Sequence, residues 1–174
     1  MNELVTEFIA ESETALDECL KILEEIEGNF EQVKRLEDVG QIIDRVMGGA
    51  KNMALLEESH GLLSWIGDAA ELCKIVAYRG SQIRSHADLF NLVSAFLIDT
   101  VEVLQEQLRL LPSFQKEATV EISRAFLDRL SWVKEVFSPE FRSSVKVSDN
   151  PSLGGGKTVN QDEIDELLKR LTGS

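Results

Sequence analysis

The stretch LEDVGQIIDRVMGGAKNMA, Leu36 to Ala54, decides the fold class. Wound as a helix at 3.6 residues per turn, it sets Leu36, Val39, Ile43, Val46, Ala50 and Ala54 on one apolar face. Glu37, Gln41, Asp44, Gly48 and Lys51 fall on a second stripe, which should face solvent. That stripe carries carboxylates, a carboxamide, a bare position and an ammonium group in vertical order. The pair Gly48-Gly49 lies inside the helix. Each interior glycine costs about 1 kcal/mol relative to alanine, so the pair marks a place where something approaches the backbone closely.

The rest of the chain has the same character on either side. Leu4, Phe8, Ile9, Ala15, Leu16, Leu20, Leu23 and Ile26 mark an earlier amphipathic helix that Gly28-Asn29 ends. After a break near Glu58 to Gly61, the apolar positions from Leu62 to Val76 mark a third helix ending at Arg79-Gly80. A fourth starts at Ser85 or His86 and runs to Pro112, and a fifth covers about Ser113 to Phe137. No stretch alternates as a strand would, and the connections are short enough for antiparallel neighbours. An all-α chain follows, an antiparallel helical bundle over residues 1–141.

Composition narrows the function classes. The chain has 174 residues, 43% of them hydrophobic, and a formal charge of -13. That is enough to bury one good core. Nucleic acid and anionic membrane surfaces need clustered Lys and Arg, so the charge points to a protein partner. Cys19 and Cys73 sit in apolar helical patterns, as small buried hydrophobes do in a reducing compartment, and neither has metal-ligand spacing. The N-terminus MNELVTEFIAESE is acidic, with no signal-peptide pattern, and no apolar run is long enough to span a bilayer. A cytoplasmic location is expected.

Residues 142–158 are rich in Ser, Gly and Pro without periodicity, which predicts a flexible linker. Residues 159–174 then present Ile164, Leu167, Leu168 and Leu171 at i, i+3, i+4 and i+7, with acids first and Lys169-Arg170 last, as the helix dipole prefers. A helix of about a dozen residues is marginal alone in water. On such a tether it reads as a docking peptide, with packing back on the bundle as the alternative.

These features resemble known signalling proteins. FIAESETALDECLKILEEIE and DLFNLVSAFLIDTVEVLQEQL are similar to the first and fourth helices of the histidine phosphotransfer (HPt) domain of the chemotaxis kinase CheA. The family's phosphotransfer box, Arg-x-x-His-x-x-Lys, here reads Arg45-Val46-Met47-Gly48-Gly49-Ala50-Lys51. The lysine is kept and Gly48 stands where the acceptor histidine would be, so phosphoryl transfer cannot run through that position. His60 and His86 lie at helix boundaries without a lysine three residues on, which reads as a surface or capping role.

NQDEIDELLKRL resembles the peptides with which the CheZ phosphatase and the flagellar switch protein FliM hold the receiver CheY; Asp162, Ile164, Asp165, Leu167 and Leu168 match that pattern. The segment around Glu37 to Arg45 is similar to the CheZ helix that carries an acid and, four residues on, a glutamine. That resemblance implies Gln41 as the group that orients the attacking water and Glu37 or Asp38 as the acid that pairs with the receiver's lysine, Glu37 being favoured by the i, i+4 spacing. Asp44, Gly48 and Lys51 would complete the partner-binding face.

The implied function is a chemotaxis regulator that binds a phosphorylated CheY-type receiver and accelerates its dephosphorylation. The alternative is a non-catalytic adaptor for CheY or a CheA domain; an active phosphotransfer protein is the third reading. No cofactor is expected in this chain, the magnesium ion belonging to the receiver. The sequence leaves a homodimer open.

Overall fold

In a computed structural model, residues 3–57, 60–114, 120–136 and 161–173 are described. They form α1 (Glu3–Ile26), a 3-10 helix (Phe30–Arg35), α2 (Leu36–Leu56), α3 (Gly61–Gly80), α4 (Ala87–Leu110), a 3-10 turn (Leu111–Ser113), α5 (Arg124–Val136) and α6 (Gln161–Thr172), with no strand among the described residues. The all-α expectation holds. The linker expected at 142–158 lies outside the described residues, and the fifth helix begins at Arg124 rather than near Ser113.

Helices α1 to α4 close a ring, α1 on α2, α2 on α3, α3 on α4 and α4 on α1. The first three run antiparallel in succession. Phe8 meets Gly49, the Cys19 thiol approaches the Val39 carbonyl, and Arg35 binds Glu25 at 2.8 Å, so α1 rises as α2 falls. Along α2 and α3, Lys51 lies beside Gly67, Asp44 pairs with Lys74, and Gly40 meets Tyr78. Gly28 adopts φ +69° after α1, and the Asn29 amide bonds back to the Ile26 carbonyl at 2.9 Å, which turns the chain into the 3-10 helix.

The interior is aliphatic with a few rings. Leu36, Val39, Ile43, Val46 and Ala50 of the opening stretch are buried, as the periodicity requires, while Ala54, the last position expected on that face, is partly buried. They face Leu16, Cys19, Leu23, Ile66, Cys73 and Val76, and the ring of Phe90, which packs edge-on against Phe30 with centroids 5.7 Å apart. Burial makes both thiols inert. Desolvation pushes Cys19 up to about 12 and Cys73 well above the ordinary thiol value.

Candidate functional site

The polar stripe of α2 divides along its length into two sides, because the neighbouring helices differ. On the α3 side, Asp44 accepts from Lys74 Nζ at 2.5 Å and Lys51 Nζ donates to Glu71 at 2.5 Å. The aliphatic stem of Lys51 runs across Gly67, where an added Cβ would stand 2.9 Å from Lys51 Cγ. Glu37 is half-buried and belongs to this side. Burial, and after it the carboxylates of Asp44 and Glu37, raise the Tyr78 hydroxyl above its usual pKa.

On the α1 side lies an open groove of about 620 Å³. Ile22 and Ile42 contribute its apolar surface, while Gln41, Asp38, Arg45 and Arg35 line it from the α2 end of the chain and Glu18, Lys21 and Glu25 from α1. Arg35 is committed to Glu25, whose carboxyl it holds below the usual range, chiefly through their hydrogen bond. Arg45 makes a long contact to Glu18, 3.8 Å, with its side chain 68% exposed. Gln41 and Asp38 are both exposed.

The structure therefore brings Gln41 together with Asp38, three residues before it, whereas Glu37 is not among the residues lining the groove. The i, i+4 argument from sequence favoured Glu37, which stands near enough to Tyr78 for its charge to act on that hydroxyl. Sequence reasoning missed the α1 contribution. Its signal was present, since Glu18, Lys21 and Glu25 repeat at i, i+3 and i+7 on the polar side of α1.

The two glycines have opposite surroundings. A Cβ on Gly49 would stand 2.8 Å from the Phe8 ring, so that glycine is required for α1 to seat against α2. At Gly48 nothing lies within 4 Å of a Cβ, and the position opens to solvent between the two charged sides. Packing among the described residues explains the first glycine and leaves the second without a reason.

The expected docking peptide is a helix, but its anchors are covered. Ile164, Leu167, Leu168 and Leu171 are 0–7% exposed, seated against α3 and α5. The Trp65 indole donates to the Leu171 carbonyl at 3.4 Å, and Arg170 reaches Asp68 at 3.2 Å. Of the acids in the pattern, Asp162 is exposed and Asp165 partly so. The packed-back alternative is what the structure shows for this helix, because an aliphatic stripe gains more from Trp65 and Phe126 than from water.

The histidines stand at the N-termini of α3 and α4, as read from the sequence, without side-chain capping bonds. His86 is exposed; His60, contrary to the surface role expected for it, is buried at 7% exposure with its ring 5.7 Å from Phe114. No helix among the described residues is long and apolar enough to cross a membrane. Comparison of the chain with protein-family models, with curated proteins and with solved structures finds no match.

Proposed function

We propose that this chain is an HPt-like helical bundle without an acceptor histidine, which binds a phosphorylated CheY-type receiver through the α2 face and speeds loss of its phosphoryl group. The observation that carries the reading is Gly48. Gly40, Gly49, Gly67 and Gly80 each sit where a Cβ would meet a neighbour at 3.2 Å or less, whereas Gly48 keeps its helix cost of about 1 kcal/mol with open space around it among the described residues. Close approach by a second molecule gives that cost a purpose. Lys51 and Asp44 border the bare position and are held by ion pairs at the rim of α3, a polar surface fixed before a partner arrives.

In the proposed reaction the Gln41 carboxamide accepts a hydrogen bond from a water and holds it in line with the phosphorus. The water attacks, the bond from phosphorus to the aspartyl oxygen breaks, and inorganic phosphate and a free carboxylate leave. Asp38, which lines the same groove as Gln41, is taken as the acid that meets the receiver's lysine, with Glu37 as the alternative. The chemistry needs no cofactor from this chain; the receiver supplies its own magnesium ion.

The test is the decay of phosphorylated receiver in the presence of wild-type protein and of Gln41→Ala. An exposed helical glutamine contributes little to stability, so the variant should bind almost as wild type while the acceleration falls about 100-fold. Asp38→Ala should lower it more than Glu37→Ala. A second reading, an adaptor that occupies the receiver without hydrolysis, is favoured by the same bare Gly48, which offers a docking surface whether or not Gln41 reaches the phosphoryl group. Tight binding with a decay rate equal to that of receiver alone selects the adaptor. Absence of binding removes both.

A further inference from the structure

The contact between α6 and α3 involves the one apolar surface that α6 has. All four aliphatic residues of its stripe are turned onto the body of the protein, and the opposite side of this 12-residue helix is polar. One stripe cannot fill two grooves at once. At its C-terminal end Trp65 meets the Leu171 carbonyl at a long 3.4 Å and Arg170 is shared between Asp68 at 3.2 Å and Glu71 at 3.8 Å. Both ion-pair partners of Arg170 belong to α3, and its side chain is half exposed. The Trp65 bond is buried, and Asp68 is 19% exposed, so these ties stand at the rim of the α6 seat rather than in open water.

We infer that α6 is a reversible latch: docked on α3 it hides Ile164, Leu167, Leu168 and Leu171, and it must leave before those residues can enter the groove of a receiver. The inference rests on the receiver-binding reading above and adds to it a regulation of the tail. While the docked form dominates, the apparent affinity of the tail for a receiver is reduced by the fraction of molecules in which α6 is free. The same contact touches the α2 face through one carboxylate. Glu71 lies within reach of both Lys51 and Arg170, so release of α6 leaves Glu71 to Lys51 and changes the charge balance beside Gly48.

The test uses the full chain and alters only α3. Trp65→Phe with Asp68→Asn removes the indole donor and the carboxylate charge while keeping an aromatic ring at 65 and the side-chain shape at 68, and neither residue lines the α2 groove. Amide hydrogen exchange should show residues 164–171 opening at least about tenfold faster than in wild type, with α3 unchanged. Binding of a CheY-type receiver charged with beryllofluoride should then tighten by roughly three- to tenfold. Leu167→Glu should weaken binding in either background, since it removes an anchor from the tail itself. If α6 opens faster but the receiver binds no tighter, α6 is a structural helix; the latch is overturned and the receiver-binding reading survives. Unchanged exchange in the double variant overturns the latch too, because the end contacts then do not hold it. If neither wild type nor any variant binds the charged receiver, the receiver reading falls and the latch with it.

Discussion

Helices α2 and α6 are both amphipathic, and the molecule treats them in opposite ways. In α2 the apolar face is core and the polar face is displayed, bordered by Lys51–Glu71 and Asp44–Lys74 and left bare at Gly48. In α6 the apolar face, which the sequence offers as a surface for a partner, is covered by α3 and α5. The difference teaches that an apolar stripe states only that something covers it. What covers it depends on which elements lie near. For α6, Trp65 and Phe126 are at hand, with their rings 6.3 Å apart.

The largest expected effect of breaking this comparison is on stability. A chain ending at residue 141 loses four side chains that are 0–7% exposed and uncovers Trp65. Each such aliphatic group contributes about 1.5–3 kcal/mol of transfer free energy before ordering costs are subtracted. Thermal melting should therefore fall by several degrees, at about 2–4 °C per kcal/mol for a chain of this size. An unchanged melting temperature would mean that α6 adds nothing to the fold.

The next effect separates the adjacent glycines. Gly49→Ala places a methyl against the Phe8 ring and should destabilise by about 1–3 kcal/mol, less the gain in helix propensity. Gly48→Ala meets nothing and should stabilise by up to about 1 kcal/mol, while Gly48→Leu should weaken receiver binding by blocking backbone approach. Urea titrations of the two alanine variants give the comparison directly. Shifts of the same sign would show that the Phe8 contact does not constrain α2.

The smallest effect is titration of the clip between α1 and the 3-10 helix. The Arg35 hydrogen bond holds the Glu25 carboxyl below its ordinary 4.5. A carboxylate with a depressed folded value contributes stability that is present above the unfolded value and lost as pH falls from 4.5 through the folded one. Glu25 is exposed, so the change should be slight. Glu25→Gln should flatten that part of the stability profile and leave neutral pH nearly unaltered; an unchanged acid limb would show that the pair adds nothing.

Much of this architecture was legible in the residues. The spacing of Leu36, Val39, Ile43, Val46 and Ala50 determined a helix and its buried face, and Gly28 determined where α1 stops, because period and backbone conformation are local properties. The polar stripe of α2 and the helical nature of residues 161–172 followed from the same rule. Three things were decided only by tertiary structure. Tyr78 and the polar side of α1 divide the stripe, so that Gln41 shares its groove with Asp38 and with residues some twenty positions earlier. Phe8 explains Gly49, whereas no contact among the described residues explains Gly48, a distinction invisible in the letters Gly-Gly. The seat of α6 depends on Trp65, about a hundred residues away in sequence. Periodicity fixes which side of a helix must be covered, whereas the identity of the cover is a long-range choice among competing surfaces, made by the packing of the whole chain.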